Sequence, residues 1–350
     1  MSVSATSPSR LPVFRPALAV ALLAVVALLV GACSTDATGS SATTVATGAR
    51  TAIVDDREPR PITDAPAPVL PTTVRSFDGV DVTITDVSRI VVADRSGTLA
   101  QTVASLGLGD NIVGRSTAIY PSGEDLPNVT PGGHSLNAEA ILALTPTVVL
   151  TDTSIGPLAV QEQLRATGVP VVFVDPDHTL DTVGTQIEAV AAALGVSAEG
   201  AELARRTQAE IDAAIAAVPD DHPRPTVAFL YLRGSAIKML GGPGSGADAL
   251  ITALGGLDAG TVAGLDSQFV PITSEAMIAS APDVILIMTG SLESVGGADG
   301  LAQLPGIAQT PAGRDGNIID MDDATLLSFG PETGKVLAAL AEALYPSDAA

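Results

Sequence analysis

Short apolar runs alternate with segments of helical spacing along most of the chain. The apolar runs have the length of buried parallel strands, and the predicted strands are 90–93, 147–150, 171–174, 226–231 and 284–288. The predicted helices are 98–106, 158–167, 247–254, 274–280 and 332–344. Strands that alternate with helices indicate an α/β fold. We therefore expect two α/β lobes, one over residues 73–178 and one over residues 221–350.

A proline-free segment, residues 180–218, lies between these lobes and has apolar residues at helical spacing. It predicts a long connecting helix over residues 179–220. Gly195 and Gly200 are weak points because glycine disfavours helix interiors, so two helices are the alternative. A helical connector would hold the two lobes more firmly than flexible hinges would, with a ligand cleft between the lobes.

One sequence unit occurs twice, at residues 137–150 and at residues 273–286. Each copy predicts a capped helix that leads through a proline into a strand, so the two lobes are pseudo-symmetric. Glu139 and Glu275 occupy equivalent positions in the two copies. A glutamate in the first turn of a helix also interacts favourably with the helix dipole, which would explain either residue alone. Two matched glutamates on separate lobes instead predict a bivalent acidic contact with a symmetric partner.

The amino-terminal residues have the pattern of a lipoprotein export signal. Two arginines precede an apolar run over residues 17–30, and small residues then lead to Cys33, the single cysteine. The run is short for a membrane span. We therefore predict a signal peptide over residues 1–32 and a lipid on Cys33 that holds the protein at the extracytoplasmic face of the cell membrane. A plain secretory signal or a membrane anchor with an incidental cysteine is the alternative.

Residues 33–72 are rich in Ser, Thr, Ala, Gly and Pro and show no apolar period. This composition predicts a flexible tether between the lipid and the globular body. Such a tether would confine the partner of the protein to the membrane surface.

Charge and composition exclude several classes of function. The chain has 39 acidic and 17 basic side chains, a formal net charge of −22, so it offers no basic surface for nonspecific nucleic-acid binding. A single cysteine cannot form an intrachain disulfide. The sequence has no P-loop lysine, G-x-S-x-G elbow, HExxH or CxxC motif. We therefore expect a binding protein and not an enzyme.

Two short segments carry candidate ligand-binding residues. His134 follows two glycines in the loop 131–135, just before the first repeat unit. Tyr231 and Arg233 end the first strand of the second lobe, where residues two apart project on one side. A guanidinium beside a phenol stabilises the phenolate, a hard anionic oxygen suited to ferric iron. These residue types are therefore candidates for binding an iron-containing ligand.

Together these features resemble the helical-backbone (class III) periplasmic-binding-protein family, whose members deliver vitamin B12, ferric siderophores and heme to ABC transporters. The resemblance covers residues 73–346 and depends on the lobes, the connector and the repeated unit. The loop histidine and the Tyr-x-Arg segment further resemble the heme-binding lipoproteins of Gram-positive, actinobacterial-type heme importers.

The resemblance implies a role for each candidate residue. Ferric heme would lie between the lobes with His134 and Tyr231 as its axial iron ligands, and Arg233 would donate a hydrogen bond to Tyr231. Glu139 and Glu275 would dock on arginines of the two permease subunits. The implied protein is a lipid-anchored receptor that hands heme to an ABC transporter and catalyses no reaction.

Other functions remain as alternatives. A ferric-siderophore or cobalamin receptor on the same scaffold is the first, although an aromatic content of 3% argues against a siderophore cleft. An exported lipoprotein enzyme is the second, and turnover of a substrate would identify it. A structural envelope protein is the third, but it would have no reason to place His134 and Tyr231 across a cleft.

The remaining candidates have less specific signals. Residues expected on the solvated surface or in the core are His178, His222, Asp322, Asp323 and Met239. Cations that are candidates to receive the heme propionates are Arg95, Arg115 and Lys238. The glycine-rich segment 242–246 predicts a ligand-facing turn whose amides could contact a carboxylate.

Overall fold

The structure of the protein is a computed structural model that describes residues 48–133 and 135–346. Cys33, His134 and the predicted signal peptide therefore lie outside the described residues. The strands are β1 (Arg50–Thr51), β2 (Thr72–Arg75), β3 (Asp81–Ile84), β4 (Ile90–Ala93), β5 (Ile112–Gly114), β6 (Val148–Thr151), β7 (Val171–Phe173), β8 (Thr226–Arg233), β9 (Ile237–Gly241), β10 (Leu257–Asp258), β11 (Phe269–Pro271), β12 (Val284–Met288) and β13 (Ile318–Met321).

Helices separate most of these strands, as the sequence predicted. The α-helices are α1 (Thr98–Val103), α2 (Ala138–Ala143), α3 (Leu158–Ala166), α4 (Leu180–Ala193), α5 (Ser197–Ala216), α6 (Ala247–Ala253), α7 (Ala259–Val262), α8 (Ser274–Ser280), α9 (Thr289–Ser294), α10 (Gly297–Leu301), α11 (Pro311–Asp315) and α12 (Thr333–Leu344). Within the described part of the chain, none of them has the length and apolar character needed to cross a membrane.

The N-terminal lobe contains a four-stranded parallel sheet in the order β5-β4-β6-β7. Alternate residues of β4 enter different cores on the two faces of this sheet. Ile90 and Val92 pack in the largest core cluster, whereas Val91 and Ala93 pack in a smaller one. Helices therefore cover both faces, as a parallel sheet requires, and only the strand ends are accessible to a ligand.

The C-terminal lobe contains a larger sheet in the order β1-β13-β12-β8-β9-β11, with β10 also paired to β8. The strands β1, β13, β12 and β8 are parallel to one another. β9 is antiparallel to β8, and β11 is antiparallel to β9. A hairpin thus extends from the carboxyl end of β8. This hairpin carries the Tyr-x-Arg segment at the edge of the lobe.

The connecting segment is helical, but it is divided at Gly195 into α4 and α5, so the alternative of two helices is confirmed and the single helix over residues 179–220 was wrong. These helices pack against each other, and α5 also packs against α12. Gly195 has a positive φ of 72° and ends α4, and a Cβ there would lie 2.6 Å from the carbonyl oxygen of Val69. The break therefore permits both a reversal of the chain and a close approach of another segment.

That approaching segment, residues 48–72, was predicted as part of a flexible tether, and this prediction was wrong. β1 pairs with β13, the Ile62 amide donates to the Ser105 carbonyl at 2.8 Å, and the Val69 amide donates to the Gly195 carbonyl at 2.8 Å. Arg60 adds an ion pair with Glu210. Because these contacts attach it to the body at several points, the segment is a strap along the body despite its composition.

Candidate functional site

The carboxyl ends of parallel strands form one edge of each sheet, where ligands bind in open α/β folds. In the C-terminal lobe, Tyr231 and Arg233 lie at this end of β8, and alternation along the strand puts both side chains on one face. The half-buried Tyr231 ring meets the Phe269 ring edge-on, with a centroid distance of 6.1 Å. The phenol therefore has an apolar support at the edge of the lobe.

Arg233 contacts Tyr231, but through the face of the ring. The guanidinium carbon lies 4.6 Å from the centroid of the Tyr231 ring, a cation–π arrangement. Its nitrogens donate to Ser291 Oγ at 2.7 Å and to Asp323 Oδ2 at 3.2 Å. The predicted hydrogen bond from Arg233 to the Tyr231 hydroxyl is absent from the described residues, where the guanidinium lies over the ring and donates to these other acceptors.

Asp323 was expected on the solvated surface, and the structure places it in the Arg233 site instead. One carboxylate oxygen accepts from Arg233 and the other accepts from the Gly290 amide at 2.7 Å. Asp322, its neighbour, pairs with Arg57 at 2.7 Å and does not reach this site. Only its position in the sequence could have indicated this role, since Asp323 follows β13 at the same sheet edge as the end of β8.

An apolar surface flanks Tyr231 on the β-hairpin. Register places Met239 directly opposite Tyr231 and Ile237 opposite Arg233, and opposite residues of an antiparallel pair share a face. Pro271 of β11 lies opposite Met239 in turn. Met239 is half-buried and Ile237 is 41% exposed, so Met239 is not the core residue that was expected. The surface can contact a flat apolar ligand beside the phenol.

The glycine-rich turn after β9 has its anion contacts already occupied. The amides of Gly244 and Gly246 donate to the two carboxylate oxygens of Asp248, at 2.8 and 2.9 Å. Asp248 lies in the first turn of α6. The contact that was predicted for a ligand carboxylate is thus made by a side chain of the same turn.

On the N-terminal lobe, the loop around His134 is held at both ends. The Gly133 amide donates to the Thr130 carbonyl at 2.8 Å, and the Leu136 amide donates to the Gly156 carbonyl at 2.8 Å. His134 itself lies outside the described residues, so the ligand-binding role of its imidazole stays a prediction. The loop that carries it is anchored beside the segment that follows β6.

The same lobe contains a buried acidic cluster that the sequence did not indicate. Asp94 follows β4, Asp152 follows β6, and His178 follows β7, and the three side chains line one small cavity. Asp94 accepts a hydrogen bond from the Thr98 amide at 2.8 Å through one oxygen, while its other oxygen is buried without a partner. Asp152 accepts from Ser154.

Burial controls the protonation of this cluster. Burial, followed by the charge of Asp152, raises the pKa of Asp94 to about 7. Burial also raises the pKa of Asp152, and hydrogen bonds from Ser154 oppose that effect. Burial lowers the pKa of His178, whereas the nearby Asp152 carboxylate favours its charged form. Burial therefore favours the protonated form of both carboxyls, and the pKa of Asp94 lies near neutral pH.

This cluster is covered by a segment of the C-terminal lobe, residues 327–330. The His178 ring lies 5.5 Å from the Phe329 ring, and Thr98 Oγ1 donates to the Ser328 carbonyl. The sequence predicted His178 and His222 on the solvated surface, and this was wrong because both are half-buried, with the His222 ring 4.3 Å from the Tyr345 ring. His178 thus belongs to a seam between the lobes.

The three cations considered for propionates have different surroundings. Arg115 donates to backbone carbonyls of residues 116, 117, 124 and 126, which is a structural arrangement. Lys238 lies opposite the buried Leu232, so its side chain leaves the sheet on the face away from Tyr231. Arg95 is exposed at the end of β4, and its charge reaches Asp152 and His178. Arg95 is therefore the best placed of the three.

Glu139 and Glu275 occupy matching places. Each is exposed in the first turn of its helix, α2 or α8. Asn137 and Thr273 cap these helices by accepting the amides of the third residues on, at 3.0 and 3.1 Å. The residues before the two prolines both have positive φ, 44° and 41°. The repeated sequence unit therefore has the same local structure in both lobes.

Residues 48–133 and 135–346 contain no cluster of three or more His, Cys, Asp or Glu side chains arranged to hold a metal ion.

Comparison with known proteins identifies the fold. Residues 92–325 match the periplasmic binding protein family. The chain is 24% identical over 287 residues to YvrC of Bacillus subtilis (strain 168), an uncharacterized ABC transporter substrate-binding lipoprotein. This alignment covers 79% of the present chain and 87% of YvrC.

Two solved structures resemble the chain at 40% identity. The heme-binding protein HmuT has a TM-score of 0.81, and its alignment covers 86% of this chain and 98% of HmuT. HmuT has also been solved with a histidine, an arginine or a tyrosine replaced by alanine. The periplasmic heme-binding protein RhuT from Roseiflexus sp. RS-1 has a TM-score of 0.70, with 74% of this chain and 98% of RhuT covered.

The family match spans about two thirds of the chain, and the structural matches extend over both lobes and the connector. The family and these neighbours are binding proteins, and the two-lobed α/β architecture expected from the sequence is confirmed. The chain belongs to the periplasmic binding protein family.

Proposed function

We propose that the protein is an extracytoplasmic receptor that binds ferric heme between its two lobes and delivers it to an ABC transporter. Tyr231 would supply an axial oxygen to the iron from the C-terminal lobe. His134 would supply a nitrogen to the opposite face from the N-terminal lobe. Arg233 would stabilise the negative charge of the iron-bound phenolate from its place over the ring.

The observation that carries this proposal is the Tyr231–Arg233 pair at the carboxyl end of β8. A phenol with a guanidinium 4.6 Å from its centroid is suited to a ferric ion. HmuT, which has 40% identity over most of the chain, was solved with an arginine and a tyrosine two positions apart each replaced by alanine. The spacing of these two residue types is the same here.

The surroundings of Tyr231 suit a porphyrin better than a bare ion. Ile237 and Met239 present apolar groups on the same face, where they would contact the macrocycle. Heme also carries two propionates, which the net charge of −22 would repel at long range. Arg95, exposed at the edge of the N-terminal lobe, would offset this repulsion by receiving one propionate.

Delivery would use the two exposed glutamates. Glu139 and Glu275 lie in the first turns of matched helices, so one acidic contact on each lobe would fit a permease built from two equivalent subunits. A lipid on Cys33 would keep the receptor near that permease. The protein would bind and release heme without chemical conversion of it.

A ligand panel tests the proposal. The purified chain is titrated with hemin, cyanocobalamin and a ferric siderophore while absorbance or intrinsic fluorescence is followed. We expect a saturable one-to-one change of the Soret band with hemin and no saturable response to the other two. Saturation by cobalamin or the siderophore without a response to hemin would transfer the assignment to that ligand on the same scaffold.

A further inference from the structure

Arg233 is the one cation in contact with the Tyr231 ring among the described residues. Two side-chain acceptors hold it there, beside the Leu232 carbonyl, which accepts from Nη1 at 2.9 Å. Ser291 is fully buried and its Oγ accepts from Arg233 Nη1 at 2.7 Å. Asp323 accepts from Arg233 Nη2 at 3.2 Å. The Arg233 and Asp323 side chains are 40% and 38% exposed, so the pair is partly accessible at the carboxyl end of β8 and is not buried in the core.

The first turn of α9 fixes both acceptors. Ser291 belongs to this turn, and the Gly290 amide of the same turn donates to Asp323 Oδ1 at 2.7 Å. A Cβ on residue 290 would lie 3.0 and 3.1 Å from the two oxygens of Asp323. Glycine at this position therefore allows the carboxylate to approach the backbone, and the approach determines where the second oxygen meets Arg233.

We propose that Asp323 and Ser291 are positioning residues that hold the Arg233 guanidinium over the Tyr231 ring. This role depends on the function proposed above. A long arginine side chain loses rotamer freedom when it stacks on a ring, and fixed acceptors reduce that loss before the ligand arrives. Asp323 also balances the charge of Arg233, so the apo site does not present an unpaired cation beside the phenol.

A double-mutant cycle tests whether Asp323 acts through Arg233. In the full chain, Asp323→Asn should weaken hemin binding about fivefold, because the NH2 that replaces one carboxylate oxygen cannot accept from the Gly290 amide or from Arg233. The Soret maximum of the variant should shift toward that of Arg233→Ala. In the Arg233→Ala background, the same substitution should change the hemin Kd less than about twofold. Equal effects in the two backgrounds would overturn the positioning role.

Asp322→Asn is the matched control, since it removes the same charge one residue earlier, where the partner is Arg57. It should leave both the hemin Kd and the Soret maximum unchanged. If Asp322→Asn weakens binding as much as Asp323→Asn does, the effect is general electrostatics and the proposal fails.

Two further variants keep the test decisive if Asp323→Asn does not fold, which thermal denaturation would reveal. Ser291→Ala removes one acceptor, and Gly290→Ala displaces the Asp323 carboxylate without removing a charge. Each should weaken hemin binding about threefold and shift the Soret maximum in the direction of Arg233→Ala. Wild-type affinity in both folded variants would overturn the proposal. If the wild type itself shows no saturable hemin binding, the proposed function is overturned instead.

Discussion

The edges of the two sheets differ in what the strand ends present. At the C-terminal lobe, β8 and β13 lead to a half-exposed cation, an acid and a phenol that pair with one another. At the N-terminal lobe, β4, β6 and β7 lead to the buried carboxyls of Asp94 and Asp152 and to the half-buried His178. The first edge is partly exposed, whereas the second packs against residues 327–330.

The comparison shows how one architecture serves two purposes. Parallel strands always bring their carboxyl ends to one edge, so both lobes collect polar residues there. Charge pairing leaves the Tyr231 edge accessible, because its acid and cation satisfy each other. At the other edge, burial raises the pKa of both carboxyls and so favours their uncharged forms, where residues 327–330 pack against the cluster.

The largest expected effect on hemin binding comes from the Tyr231 edge of the C-terminal lobe. Tyr231→Phe removes the candidate iron ligand and leaves the ring, so the hemin Kd should rise about 100-fold in an absorption titration. Tyr345→Phe is the control, because the Tyr345 hydroxyl is buried and donates to the Leu254 carbonyl at 3.0 Å. A change of less than about threefold for Tyr231→Phe would remove Tyr231 from the iron site.

The proposed permease contacts, one glutamate on each lobe, should give the next largest effect. Glu139→Ala with Glu275→Ala should reduce heme uptake by cells about tenfold while the hemin Kd stays unchanged. Glu188→Ala with Glu342→Ala removes two other exposed carboxylates and serves as control. Normal uptake by the Glu139/Glu275 variant would argue against a bivalent acidic contact.

The buried carboxyls at the edge of the N-terminal lobe should make the free energy of unfolding depend on pH. The folded pKa of Asp94 is raised to about 7 from 3.8, so its contribution to stability is full below pH 4 and is lost as pH rises through 7. Asp94→Asn imitates the protonated carboxyl. Its gain in the free energy of unfolding over wild type should be about 2 kcal/mol larger at pH 8 than at pH 5.

Denaturant unfolding at the two pH values measures this difference. Both proteins keep His178 and Asp152, so the difference reports the Asp94 carboxyl together with its interaction with Asp152. Asp125→Asn, at an exposed position, should show no pH-dependent gain. A gain for Asp94→Asn that is equal at pH 5 and pH 8 would mean that Asp94 is ionised throughout this range.

The smallest expected effect on hemin binding concerns Arg95, an exposed residue beside the Asp94 cluster of the N-terminal lobe. Arg95→Gln should weaken hemin binding only about threefold, because a partly exposed ion pair contributes little. Arg205→Gln on α5 is the control, since Arg205 pairs with Glu202 on the surface. Equal affinities of Arg95→Gln and wild type would leave the propionates in solvent.

Local patterns predicted most of the fold. The strand 284–288 and the helix 274–280 have the predicted bounds, and the repeated unit has one structure in both lobes. These features depend on apolar period, caps and prolines, which neighbouring residues determine. The strap 48–72 was missed because its order comes from hydrogen bonds to distant parts of the body, and its composition alone is typical of a linker.

The candidate site was predicted in part. Tyr231 and Arg233 share a face because of their spacing alone, whereas the contact of Arg233 with Asp323 joins residues 90 positions apart. No local pattern encodes that distance. The same holds for His178, whose environment is made by Phe329 of the other lobe. Acidic residues are frequent in this chain, so single aspartates give little signal before the strand ends are known.

The most direct test of the account is resonance Raman spectroscopy of the hemin-loaded chain, prepared with ordinary and with ring-deuterated tyrosine. The chain has three tyrosines, and Tyr120 and Tyr345 are each 6% exposed, so Tyr231 is the accessible one. The account predicts phenolate modes of iron-bound tyrosine that shift on deuteration and are lost in Tyr231→Phe. Stoichiometric hemin binding without any isotope-sensitive phenolate mode would contradict it.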